Sequence, residues 1–267
     1  MREVGMRVEV LGPFRIWDGA VEVDVGPNQR RMVFAALVLN ANRPVRVEAL
    51  AQVLWGDEPP PTAAGSIQSH ISRLRARLGD VTGPAMGVRT LGHSYLLRAD
   101  PEWVDALRFR VLAERADAVG GVESIGLYEQ ALALWRGEAL VDLVPESCRA
   151  RLVRPWEERR LRVIEARDAL VLAHGDPVRL IPELTALVAD HPGRSRSVGH
   201  LMLALHRCGR DDEALATFRQ VRQNLAEQHG IEPAAELLRL HERILRNDPE
   251  LRPARQARDK PSASTRP

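Results

Sequence analysis

Cysteine, lysine and long apolar runs are all scarce in this chain, and each shortage removes a class of function. The two cysteines, Cys148 and Cys208, stand far apart with no second Cys or His at ligand spacing. That argues against a disulfide scaffold or a zinc site and for reduced thiols in a cytoplasmic protein. No apolar run reaches membrane-spanning length, and the opening Met-Arg-Glu-Val-Gly-Met has no signal-peptide core. Phosphate-cradling Gly-x-x-x-x-Gly-Lys, dinucleotide-type Gly-x-Gly-x-x-Gly and metal-binding His-Glu-x-x-His are all missing. Gly92-His93-Ser94-Tyr95-Leu96 starts like a nucleophile elbow but lacks its closing glycine and its strand-to-helix setting. His174, His191, His200, His206 and His229 are scattered without ligand spacing. No catalytic residue, cofactor or metal is expected. Lys260 is the only lysine, so nearly every cation is a planar guanidinium.

What is present suits a soluble protein of two domains: 267 residues, 45% hydrophobic and 28% charged. The net charge of +2 says little, but its distribution says more. Twelve arginines face ten acids in residues 1–100, and five bases face one acid in 251–267, so 101–250 is mildly acidic. Within the first block, 65–98 holds five arginines and one aspartate. The asymmetry points to a nucleic-acid module joined to a mildly acidic partner.

The positive charge centres on Pro61 to Leu78. Thr62 is placed to cap a helix whose apolar residues, Ile67, Ile71, Leu74 and Leu78, follow a 4-3-4 spacing and make one narrow stripe. Its other faces carry Ser66, Gln68, Ser69, His70, Arg73, Arg75 and Arg77, with no acid among them. A merely solvated helix usually mixes signs at i and i+4. A half-buried helix with a purely cationic and hydroxylic exterior suits an object that presents phosphates and base edges together.

Upstream, alternation over Arg7–Leu11, Phe14–Ile16 and Val21–Val25 reads as short antiparallel strands, with a turn at Asp18-Gly19. Asn28 caps a helix to about Leu39, 44–47 is a short strand, and Glu48 to Trp55 is a second helix. Gly56 to Pro61 is a turn, and Gly79 ends the arginine-bearing helix. Met86–Leu91 and Tyr95–Arg98 form a hairpin carrying Arg89. The order is that of a helix-turn-helix with a β wing, behind an extra N-terminal sheet.

The runs Leu54-Trp55-Gly56-Asp57-Glu58-Pro59-Pro60, Ser69-His70-Ile71-Ser72-Arg73-Leu74-Arg75 and Gly92-His93-Ser94-Tyr95 resemble the OmpR/PhoB-type winged-helix domain. Together with Val8-Glu9-Val10-Leu11-Gly12-Pro13-Phe14 and Gly26-Pro27-Asn28-Gln29-Arg30-Arg31, they resemble the version that opens the antibiotic regulatory protein (SARP) family of bacterial activators. The resemblance implies a base-contacting role for Arg73, as a guanidinium can bind guanine O6 and N7 bidentately. It implies that Ser66 and Ser69 touch base edges or thymine methyls, that His70 and Arg75 contact phosphates, and that Arg89 enters the minor groove. Trp55 matches a backbone-contacting Trp and equally well a lid on the core. Arg77 reads as solvated.

Residues 101–250 carry no strand signal. Helical periodicity covers 104–119, 122–135, 149–174, 177–190, 195–207, 211–228 and 234–246. Gly175 and Gly209 are one tetratricopeptide period apart, and the same offset relates Leu180 to Ala214 and Leu184 to Phe218. Such helices either stack to leave a concave partner surface or form a plain bundle, and the sequence leaves both open. Ala131-Leu132-Ala133-Leu134-Trp135-Arg136-Gly137-Glu138, Leu201 to Arg210 and Gly230-Ile231-Glu232-Pro233 resemble the bacterial transcriptional activation domain of the same family. The run His191 to Ser197 departs from it, and Gly193 and Gly199 should weaken the start of that helix.

The expected architecture is therefore an α+β winged helix over 1–100, an all-α tetratricopeptide-like domain over 101–250 and a disordered basic tail over 251–267. The resemblance implies an activator that binds direct repeats in double-stranded DNA as a homodimer, recruits RNA polymerase holoenzyme and switches on a secondary-metabolite gene cluster. A ligand-responsive repressor and a tetratricopeptide-like interaction scaffold are the alternatives. On these assignments Arg73→Ala relaxes sequence preference, whereas Arg75→Ala weakens all sites alike and flattens the salt dependence of binding. Titrating both variants against matched and mismatched duplexes tests the contrast, and equal loss on every sequence for both counts against it.

Overall fold

Alternation sets the first element: Val8 is buried and Arg7 is not, so one face of β1 (Met6–Glu9) turns inward. With β2 (Arg15–Asp18) and β3 (Val21–Glu22) it makes an antiparallel sheet, Val8 opposite Ile16, and Gly19 turns the chain at φ +62. The computed structural model describes residues 6–82, 86–143 and 145–252, and the chain divides into two compact units, 1–163 and 164–267.

In the first unit, α1 (Asn28–Leu39) buries every residue from Met32 to Leu39, so it is a central helix and not an amphipathic one. Asn28 is its first residue, and Pro27 holds the cap position. The short strand β4 (Val45–Arg46), α2 (Val47–Trp55), α3 (Ala63–Thr82), β5 (Gly87–Leu91) and β6 (Ser94–Arg98) complete a winged helix, with the antiparallel sheet in the order β4-β6-β5. Gly79 does not end α3, which continues to Thr82. One glycine costs a helix only about 1 kcal/mol, little against a fully buried seam.

α4 (Asp105–Val119) and α5 (Ser124–Leu132) follow. The helix expected as far as 135 stops short for a physical reason. The amides of Arg136 and Leu140 donate to the carbonyls of Leu11 at 2.8 Å and Gly12 at 2.6 Å, and so leave the helical ladder. Leu140 accordingly sits at φ +54. Trp135, Ala139, Leu140 and Leu143 are buried, and Trp135 meets Phe109 edge to face at 5.7 Å.

Two carboxylates close this arrangement. Asp105 accepts from the amides of Val10 (2.9 Å), Leu11 (3.0 Å) and Ala106 (2.7 Å), and from Arg136 Nη2 (2.9 Å). Burial pushes its carboxyl up, and the Leu11, Val10 and Arg136 donors pull against that. Val104 bridges to Val8 just before it, a strand-like contact in a stretch with no strand signal. Asp142 accepts from the Phe14 amide at 2.7 Å, Arg31 at 2.5 Å and Arg15 at 3.1 Å. There burial is outweighed by the Phe14 and Arg31 donors, which hold the carboxyl below its usual range.

α6 (Glu146–His174) leads into the second unit, where α7 (Ile181–Asp190), α8 (Ser195–Arg207), α9 (Asp211–His229) and α10 (Ala235–Leu245) pack in sequence order. Residues 177–180, expected as the first helical turn, form a separate 3-10 turn behind the Asp176 cap. Leu180, Leu184, Ala214 and Phe218 are all buried, so the period of the two glycines is also a period of the core, as in tetratricopeptide pairs. Leu251, expected to open a disordered tail, is instead buried at the end of a last 3-10 turn because its apolar side chain has somewhere to pack, and the rest of that tail from 253 lies outside the described residues.

Gly193 falls in the turn before α8, whereas Gly199 lies within that helix. A Cβ built at Gly199 would meet Leu240 at 3.6 Å and Leu237 at 3.8 Å, ordinary van der Waals contact. Gly199→Ala therefore adds apolar contact and removes a helix penalty, and thermal unfolding should show a gain of up to about 1 kcal/mol. A lower melting temperature would mean that α8 and α10 need the missing methyl.

Candidate nucleic-acid interface

The rotation of α3 is set by its seam. Ile67 and Leu74 are at 0% exposure, and Ile71 and Leu78 at 1%, so the rest of the helix has only one way to face. Ser69 and Arg73 then stand exposed on the outer side, with Arg77 exposed beyond them and Ser66 and His70 half-buried along one flank. Arg75 lies about 160° around the axis from Arg73, two residues at 3.6 per turn, and emerges on the other flank.

That other flank faces the wing. Arg75 Nε donates to the Val88 carbonyl at 2.9 Å and Nη2 donates to Thr90 Oγ1 at 2.7 Å. Val88 is buried and Thr90 shares its side of β5. Arg89 and Leu91 alternate to the other side and are exposed, Leu91 at 48%. Leu91 pairs with Ser94 across Gly92 and His93, with Gly92 at φ +57, so the hairpin closes tightly. The Val47 amide donates to the His93 carbonyl at 3.0 Å, which ties the start of α2 to the tip of the wing. Trp55 ends α2 half-buried.

Six of the seven residues marked by the sequence thus lie on α3 or the wing, while Trp55 stands at the end of α2. Of these, the side chains of Ser69, Arg73 and Arg89 are presented outward without a hydrogen bond among the described residues, and that of Arg75 is committed to β5.

Arg30 was not singled out by its own residue type. It sits in the first turn of α1, where arginine normally reads as solvated, yet it is 9% exposed. Its Nη1 donates to the Val25 carbonyl at 2.9 Å, and no carboxylate among the described residues pairs with it. The one sequence signal is the glycine beside it: Gly26 is at φ +99, and a Cβ there would stand 2.4 Å from Arg30 Nη1. Burial, then Arg30, then Arg73 hold the His70 imidazole below its ordinary value, and its Nδ1 has no hydrogen-bond partner. Among the described residues no group of three His, Cys, Asp or Glu could hold a metal, and no helix is long and apolar enough to cross a membrane.

Comparison with known proteins places both parts of the chain in known families. The model of the bacterial transcriptional activator domain matches residues 104–245, and that of the transcriptional regulatory protein C terminal domain matches 21–96. The regulatory protein DnrI of Streptomyces peucetius is 38% identical over 254 residues, which cover 91% of this chain and 93% of DnrI. The regulatory protein AfsR of Streptomyces griseus is also 38% identical, over 93% of this chain but 26% of AfsR. Among solved structures, Mycobacterium tuberculosis EmbR in complex with a low affinity phosphopeptide aligns with a TM-score of 0.78 at 31% identity, covering 91% of this chain and 66% of that one. With both domain models in order and a relative matched nearly end to end, the chain belongs to the antibiotic regulatory protein (SARP) family of bacterial transcriptional activators.

Proposed function

We propose that the chain reads a short DNA sequence through α3 in the major groove and Arg89 in the flanking minor groove, and activates transcription from there. The observation that carries this reading is the outer face of α3: Ser69 and Arg73 stand exposed with no acid in the helix from 63 to 78, opposite a seam at 0–1% exposure. Arg73 supplies bidentate base readout, Ser66 and Ser69 supply short polar contacts, and His70 meets a backbone phosphate. Trp55, at the end of α2, lies against the sugar-phosphate backbone.

Residues 1–100 act as the DNA-binding part, 101–250 as the activation part and 251–267 as a basic tail. Two copies bind direct repeats head to tail, with repeat centres about one helical turn apart so that both face one side of the duplex. The helical part supports that dimer and recruits RNA polymerase holoenzyme to a secondary-metabolite gene cluster. The protein works in the cytoplasm on the nucleoid, as a regulator and not as a catalyst, without membrane association.

Footprinting the purified protein on the promoters beside its own gene is the direct test. Protected direct repeats just upstream of a −10 element support activation, protection across the start site means repression, and equal protection of every sequence sinks the reading. A second test uses pH. His70 is held below its ordinary pKa in the free protein, and a phosphate beside it would offset Arg30 and Arg73 and raise it. Binding then takes up a proton, so affinity rises as pH falls from the raised bound value of the imidazole towards its lowered free value. His70→Gln should remove that rise in a titration at constant salt. An unchanged pH dependence would take His70 off the phosphate.

A further inference from the structure

We infer that Arg75 is a positioning residue, a clamp that fixes how far the wing stands from α3, and not a phosphate contact. The inference rests on the DNA-reading function proposed above and deepens it. β5 is an edge strand, paired on one side only, to β6. An edge strand leaves backbone groups without a ladder partner. Arg75 Nε fills one of them, the Val88 carbonyl at 2.9 Å, and Nη2 takes the hydroxyl of Thr90 at 2.7 Å. A planar guanidinium making two bonds to residues i and i+2 of one strand sets both the distance and the tilt of that strand, which a single-point ammonium cannot do.

The placement gives the clamp its effect. Arg89 lies between Val88 and Thr90 and points to the opposite side of β5, so whatever fixes its two neighbours fixes the base of its side chain. At the other end of the clamp, Arg73 is two residues away on the same rigid helix. The span between the group reading the major groove and the group reaching the minor groove is therefore set on the α3 side by this side chain, while the Val47 amide ties the tip of the wing to α2. Losing it frees the wing to pivot, and base preference falls at the positions flanking the α3-read core. Because the guanidinium is used within the protein, losing it releases no counterion from a phosphate, and the salt dependence of binding stays as it was.

The test selects duplexes from a random-sequence library with the full chain, comparing wild type, Thr90→Val, Arg75→Lys and Arg75→Ala. It then measures affinity for the wild-type-selected duplex from low to high NaCl, with melting temperatures as a check on folding. Thr90→Val alters no charge and removes one of the clamp's two acceptors. The expected result is that Thr90→Val and both Arg75 variants lose preference at flanking positions, weaken the selected duplex roughly fivefold or more, and keep the wild-type salt slope. The clamp is overturned if Thr90→Val is silent while Arg75→Ala lowers the salt slope by about one, the signature of a lost phosphate contact. It is also overturned if Thr90→Val lowers the melting temperature but leaves the selected sequences unchanged, which is packing alone. A wild-type chain that enriches no sequence at all fails the DNA-reading function itself, a result distinct from either of these.

Discussion

Burial of four aliphatic side chains along one line of α3 is the constraint on which the interface depends. Ile67, Ile71, Leu74 and Leu78 have no alternative position that keeps them dry, so the helix is locked in rotation and the identity of every outward group follows from its distance from that line. Hydrophobic burial has no direction of its own, yet periodicity turns it into a directional device. Arg73 and Ser69 are presented because their neighbours must hide. The same lock sends Arg75 to the opposite flank, where the open edge of β5 receives it.

The first unit shows a second kind of order, in which polar groups replace regular structure. Residues 133–143 form no helix or strand among the described residues, yet the amides of Arg136 and Leu140 and the carboxylate of Asp142 are engaged by Leu11, Gly12, Phe14, Arg15 and Arg31, with Trp135 Nε1 the exception, buried and without a hydrogen-bond partner among the described residues. Such a segment keeps one path only if its buried polar groups are satisfied. Asp105 and Asp142 meet that requirement by taking amide donors and guanidinium groups together. Arg136 contributes twice, through its amide to Leu11 and through its side chain to Asp105.

Much of the fold could be read from the amino-acid order, because the deciding forces there are local. The 4-3-4 spacing of α3, the alternation of β1 and β2 and the glycine-bounded helices of 177–246 all match elements within a few residues. The helix expected to reach 135 was decided by distant partners. Nothing near Leu134 announces that Arg136 and Leu140 will be claimed by a loop more than a hundred residues earlier. Arg75 and Arg73 look equivalent in the run Arg73-Leu74-Arg75 because each is a cation on the same helix. Only the course of β5 separates them. Arg30 was illegible for a similar reason, since its place is set by the Gly26 turn and the Val25 carbonyl that its Nη1 reaches.

Val104 and Asp105 lie just past the end of the winged helix, yet their partners are Val8 in its first strand and Val10 and Leu11 just after it. A recombination joint placed at the sequence boundary near residue 100 would graft a DNA-reading module onto a foreign aspartate, or onto none. The amides of Val10 and Leu11 would then lose their common acceptor. Exchange of operator specificity between relatives thus works best with the joint downstream of 143, so that the segment travels with the strand it secures. Along this stretch the unit of inheritance is longer than the motif that gives it its name.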